Sequence, residues 1–160
     1  MKIFFTYFYT LCLSLWTGGL FIFTFIVTPV IFRSYPRDMA GDIVGRLFPS
    51  YFLFCLIITI LSLLAFSMSS YDVSDFGYKL SLVLVSIAIV SSLYVNFRLH
   101  PQMQRVKQEV RSFETVSPDD PARKKFRVLH AASAAINLFM FADGAALLIL
   151  SLGIKKTLRQ

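Results

Sequence analysis

The fold is decided by an uncharged run between Leu47 and Met68, which reads LFPSYFLFCLIITILSLLAFSM. An α-helix rises about 1.5 Å per residue, so this run would be about 33 Å long as a helix. The hydrocarbon core of a bilayer is about 30 Å thick, and about 20 apolar helical residues cross it. The run therefore predicts a transmembrane helix, with Pro49 accepted in its first turn.

Three further apolar runs of similar length occur along the chain. Together the four predict membrane spans at about 3–28, 47–68, 78–97 and 128–154. Pro29 is expected to weaken the helix at the end of the first span, because proline removes a backbone hydrogen bond. The sequence thus predicts an all-α fold, a polytopic four-transmembrane-helix bundle, as a single domain over residues 1–160.

The composition supports a membrane protein. The chain has 160 residues, of which 56% are apolar and 16% charged, against about 25% charged in a typical soluble domain. A small soluble protein could not cover that much apolar surface with polar groups. These figures disfavour a soluble enzyme, a disordered tail and, with only two cysteines, a disulfide scaffold.

The net charge of +7 is unevenly divided between the two sides of the predicted bundle. The loops after spans one and three hold eleven Lys and Arg residues, and the opposite side holds five. By the positive-inside rule the basic side is cytoplasmic, so both termini face outward, as in a multi-pass protein of a bacterial inner membrane. The charge predicts contact with the lipid bilayer and its anionic headgroups, and no nucleic-acid binding. The interfacial arginines are Arg33, Arg37, Arg98 and Arg127.

A cytoplasmic amphipathic segment is predicted at Pro101–Val116. Apolar residues fall there at helical spacing: Met103, Val106, Val110 and Phe113. Such a helix could lie in the headgroup region with its apolar stripe down, or could extend span three and pack on a partner. The first loop has a weaker stripe: Met39, Ile43, Val44 and Leu47.

Polar side chains inside the spans are candidates for a functional site, because each is costly in hydrocarbon. Asp143 lies about 16 Å from the outer end of span four. It is either a proton- or cation-responsive carboxylate or a hydrogen-bonded residue that fixes helix packing. His130, Ser133 and Asn137 share one face of the same span. With Ser14 of span one, these residues are expected to form a polar intramembrane site.

His100 and His130 are a second candidate site, at the cytoplasmic ends of adjacent spans. Two histidines that face each other across helices can ligate a haem iron or a copper ion. Arg98 and Arg127 would then pair with haem propionates. The alternative is that both rings are only solvated. The sequence itself requires no cofactor. If these histidines do bind one, haem b or copper is expected.

Three stretches of the chain match a known family in order. They are FRSYPR at 32–37 followed by LFPSYF at 47–52, NFR at 96–98 with Pro101, and Phe126-Arg127 with His130, Ser133 and Asn137. In these motifs the chain resembles the transmembrane protein 205-like family of small four-span membrane proteins. The resemblance covers most of the chain and implies the same order of spans, but it implies no reaction. His100 and Asp143 depart from the family pattern.

The sequence contains no visible nucleophile with its base, carboxylate pair or phosphate-binding loop. We therefore predict a small, non-enzymatic integral membrane protein that handles a ligand or an ion, or that serves as a subunit of a larger membrane complex. The alternative is a haem- or copper-binding redox subunit that uses His130 and His100.

The orientation can be tested by cysteine labelling in intact cells. We expect Ser117→Cys to react with a membrane-impermeant maleimide only after the cells are opened, and Ser74→Cys to react in intact cells. The unmodified chain is the control, because Cys12 and Cys55 fall within predicted spans. Labelling of Ser117→Cys in intact cells would overturn the orientation.

Overall fold

The computed structural model describes residues 2–69, 71, 75–110 and 112–157. These residues form six α-helices: α1 (Lys2–Phe21), α2 (Thr28–Ser34), α3 (Arg37–Ser67), α4 (Phe76–Tyr94), α5 (His100–Glu109) and α6 (Pro121–Thr157). Two π-helical turns, Ile22–Val27 and Val95–Leu99, join α1 to α2 and α4 to α5. The described ranges contain no strand, and the predicted all-α class is confirmed. Arg111 and Arg159, which contribute to the predicted charge division, lie outside these ranges.

Four continuous helical stretches are long and apolar enough to cross a bilayer, as predicted. They are Lys2–Ser34, Arg37–Ser67, Phe76–Glu109 and Pro121–Gly153. Within the bundle α1 packs on α3 and α6, and α4 packs on the same two helices, so α1 and α4 are diagonal. We call the end that holds residues 28–46 and 98–127 the basic end, and the opposite end, which holds Lys2 and Phe76, the terminal end.

The bundle buries one face of each of the four spanning stretches, and their outer faces are also largely apolar. On α1, Tyr9, Leu13, Trp16 and Leu20 recur at helical spacing and expose no surface. Large apolar side chains also cover the outside of the bundle, and examples are Phe4, Val90 and Ile149. A helix that is apolar all round is typical of a membrane span, because its outer face contacts lipid.

The helices do not end at their prolines, which differs from the expectation for Pro29. The first helical stretch continues past Pro29 to Ser34 because a π-helical turn precedes the proline, with the Thr28 N–H donating to the Phe23 carbonyl. The same arrangement precedes Pro101, where the His100 N–H donates to the Val95 carbonyl. A widened turn relieves the clash between the proline ring and the preceding turn and re-pairs the backbone groups.

The position of Pro49 also differs from the prediction, which placed it in the first turn of a helix. Helix α3 begins at Arg37, so Pro49 lies well inside it and removes the hydrogen bond that the Gly45 carbonyl would accept. The Gln104 side chain of α5 donates to that carbonyl instead, at 3.4 Å. One turn earlier, the Lys107 Nζ donates to the Gly41 carbonyl at 2.9 Å.

The amphipathic segment extends the third span and packs on protein. Its apolar residues Met103, Val106 and Val110 are buried, and α5 contacts α6. In the first loop the predicted stripe is only partly correct, since Val44 is buried while Met39 and Leu47 are exposed. Helix α3 already begins at Arg37, and its first turns bury the face that holds Ala40 and Val44. Met39 and Leu47 lie on other faces and remain exposed.

Candidate functional site

A cavity of about 310 Å³ lies at the basic end, enclosed by α2, α3, α5, the following loop and the start of α6. The residues that precede Pro29, Pro49 and Pro101 line it: Thr28, Phe48 and His100. The three prolines therefore lie beside the same space, two of them after a π-helical turn. We call this space the basic cavity.

The basic cavity is rich in positive charge. Its lining includes Arg37, Lys107, Arg123, Arg127 and both histidines of the chain, and no Asp or Glu of the described residues. Lys107 is paired with the Asp42 carboxylate at 2.6 Å. The three arginines form no ion pair within the described ranges, although Arg123 donates to the Val116 carbonyl.

The remaining walls of the basic cavity are apolar and largely aromatic. They are formed by Phe32, Phe48, Phe113, Phe126, Val44 and Met103. The Phe113 and Phe126 ring centroids are 4.8 Å apart, and the Phe126 ring stacks on His130 at 6.0 Å. Charged groups and aromatic walls in one enclosure suit a ligand that has both a polar and an apolar part.

The loop after α5 is fastened to the start of α3 by Asp38. The Asp38 carboxylate accepts hydrogen bonds from the Ser112 hydroxyl at 2.6 Å and from the Phe113 N–H at 2.7 Å. Asp38 thereby positions Phe113 over the cavity. No sequence pattern indicates this contact, because it joins residues more than seventy positions apart.

Both predicted ligand histidines line the basic cavity, which brings them into one enclosure. The His100 ring packs against Phe48 and Phe52 and lies 3.2 Å from the Gln104 amide nitrogen. Among the described residues, no group of three or more His, Cys, Asp and Glu is placed to hold a metal ion. Of the four predicted interfacial arginines, Arg37 and Arg127 line the cavity, whereas Arg33 and Arg98 are exposed elsewhere.

Deeper in the bundle, Asn137 joins three helical stretches. Its side-chain oxygen accepts from the Tyr51 hydroxyl at 2.7 Å, and its amide nitrogen donates to the Thr24 hydroxyl. Ser133 and Asn137 line a void of about 10 Å³ with Ser92, whose hydroxyl has no described partner. A space of that size is about that of one water molecule. Ser133 and Asn137, which helical spacing places on one face of α6, thus lie in one polar layer with Ser92.

Asp143 lies apart from that layer. It is six residues further along α6, about 9 Å nearer the terminal end, and only 4% exposed. Neither carboxylate oxygen has a hydrogen-bond partner among the described residues. The neighbouring Gly144 permits close approach of α1, since a Cβ there would lie 2.5 Å from the Thr17 hydroxyl. Ser14 is exposed and donates to the Thr10 carbonyl, so it does not join Asp143.

These features define a polytopic helical membrane protein with a basic, aromatic-walled cavity at one end. The chain belongs to the family described as domain of unknown function (DUF4149), whose model matches residues 11–112. That range contains Pro29, Pro49 and Pro101 and ends before α6. No curated protein and no solved structure matches the chain. The resemblance to the transmembrane protein 205-like family stays a prediction.

Replacement of Asp143 separates its two interpretations. A buried carboxyl group without a partner costs free energy, so we expect Asp143→Leu to raise the melting temperature in detergent, by an amount that corresponds to about 1–3 kcal/mol. Asp143→Asn, which keeps a polar side chain, is the matched variant, and its melting temperature should rise less than that of Asp143→Leu. If Asp143→Leu melts well below the natural chain, the carboxylate stabilises helix packing through a partner.

Proposed function

We propose that this protein binds one amphiphilic ligand in the basic cavity and has a non-enzymatic role in the membrane. The observation that carries this proposal is a cavity of about 310 Å³ with charged and aromatic walls, at the end of an otherwise closely packed bundle. Ligand sites are typically concave, mostly apolar and about 300–1,000 Å³ in volume, with a few polar groups that fix orientation. The basic cavity has each of these properties.

Access from the side supports a ligand that comes from the bilayer. Phe32 of α2 is 43% exposed, and Arg37 and Arg127 are exposed beside it. These exposed lining residues belong to α2, the start of α3 and α6. Arginine and aromatic side chains are the groups that membrane proteins place at headgroup level. In the orientation proposed from the loop charges, these residues face the cytoplasmic leaflet of a bacterial inner membrane.

The contacts of the cavity residues also support binding. Lys107 is held by Asp42 and the Gly41 carbonyl, and Phe113 is held by Asp38, so two sides of the cavity are preorganised. Preorganised groups lose less conformational entropy when a ligand binds. A carrier, a receptor or a ligand-dependent subunit of a larger membrane complex would each use such a site.

Filling the cavity tests the proposal. Gly41 lines the cavity, and a Cβ there would have only the Lys107 Nζ within 4 Å, at 3.9 Å, so Gly41→Leu places its side chain into the space. We expect native mass spectrometry of the purified protein to detect a co-purified lipid that this variant lacks. Gly18→Leu is the matched control, since Gly18 lies outside the cavity and has open space beside it. Equal lipid occupancy in both variants would contradict the proposal.

A second candidate, haem or copper binding, is favoured by the observation that His100 and His130 line the same cavity. Its test is a visible spectrum with elemental analysis of the protein purified from cells supplied with both groups. A Soret band or stoichiometric copper that disappears in His130→Ala would establish it. A colourless, metal-free protein would exclude it for that preparation and leave the amphiphile as the ligand.

A further inference from the structure

The arginines of the basic cavity carry positive charge that no described acidic side chain compensates. The nearby carboxylates contact other groups: Asp42 pairs with Lys107, Asp119 with Lys124, and Asp38 with Ser112 and Phe113. Asp120 accepts from the backbone N–H of Arg123, and Glu114 accepts from the backbone N–H of Asp38, so neither is paired with a guanidinium group of the cavity in the described residues. An array of like charges repels itself and destabilises the fold unless a counterion binds. The cavity therefore lacks a negative group that a ligand would supply.

The arrangement of these charges defines where that group would lie. Arg123, Arg127 and His130 are spaced by four and three residues on α6, so they share one face of the helix. Arg37, at the start of α3, lines the same cavity from another helix. An anion between the row and Arg37 would be contacted from two sides, at the exposed mouth of the cavity.

The number and type of these groups favour a phosphate. A guanidinium group presents two parallel N–H donors, which match the oxygen spacing of a phosphate. A phosphate monoester carries about −1.5 to −2 charges at neutral pH. Three uncompensated arginines balance such a group better than they balance a carboxylate or a phosphodiester, each of which has a single negative charge.

The aromatic wall accounts for the rest of the ligand. Phe32 is exposed at the mouth, and Phe126 lies inside, so an apolar chain can run from the arginines into the bilayer along α2 and α6. A free phosphate would leave this wall unused.

We propose that the basic cavity binds the terminal phosphate of a lipid, a phosphate monoester or diphosphate on an apolar tail, through Arg37, Arg123 and Arg127. This inference rests on the proposed function and names the chemical class of its ligand.

The test compares headgroups on one acyl composition. The full chain in detergent is titrated with dioleoyl phosphatidic acid, dioleoyl phosphatidylglycerol and dioleoyl phosphatidylcholine, and separately with inorganic phosphate, and the melting temperature is followed. We expect phosphatidic acid to bind most tightly and inorganic phosphate to have no effect at the same concentration. Arg127→Gln should weaken phosphatidic acid binding about tenfold, since a charge-assisted hydrogen bond is lost.

Arg98→Gln is the matched control, because Arg98 is an exposed arginine of the same end outside the cavity, and we expect it to bind as the natural chain does. Arg127→Lys, which keeps the charge and loses the paired donors, should fall between them. Because Arg127 is exposed and unpaired within the described residues, neither change should impair folding.

The outcomes are separable. If the three lipids bind equally and Arg127→Gln has no effect, the phosphate assignment is wrong while the proposed ligand cavity stands. Inorganic phosphate that binds as tightly as phosphatidic acid would overturn the assignment to a lipid. If no probe changes the melting temperature and Gly41→Leu loses no lipid, the proposed function fails together with this inference.

Discussion

The structure depends on the requirement that every backbone N–H and C=O within a bilayer finds a partner inside the protein. At one end of the bundle, three prolines inside the helical stretches each leave a backbone carbonyl without its usual helical partner. They are Pro29, Pro49 and Pro101. Two are accommodated by π-helical turns, and the third by the Gln104 side chain, which donates to the Gly45 carbonyl. The basic end is where the helices depart from regular geometry.

This departure explains where the cavity lies. The residues that precede the three prolines all line it, whereas the core nearer the terminal end is filled by fully buried side chains such as Tyr9 and Trp16. π-Helical turns are frequently found at functional sites, since they re-aim the side chains around them. Here each turn is followed by a residue that lines the arginine-rich cavity, Thr28 or His100, so the irregular backbone and the charge lie at the same end of the bundle.

Much of the fold could be predicted from the sequence because its signals are local. An uncharged run such as Leu47–Met68 indicates a span by its length, and helical spacing alone places Ser133 and Asn137 on one face of α6. The sequence could not show where the helices end, because that depends on how Pro29 and Pro49 are accommodated by other residues. The hydrogen bond between Asp38 and Ser112 joins distant residues, so no periodic pattern in the sequence indicates it. Ser14 is exposed because the opposite face of α1 packs in the bundle, and the sequence did not show which face would pack. His100 and His130 lie at the ends of adjacent spans, so the sequence indicates that they could come near each other. The arginine-rich lining around them also depends on the loop that Asp38 holds through Ser112 and Phe113, which no local pattern indicates.

The central claim is that the three proline sites hold open a cavity that takes the phosphate of a lipid. An experimental structure of the full chain in nanodiscs that contain phosphatidic acid tests it most directly. We expect helical density through Pro29, Pro49 and Pro101, and an elongated density in the cavity whose head lies between Arg37 and the arginines of α6. A cavity closed by its own aromatic side chains, with no density beside those arginines, would contradict the claim.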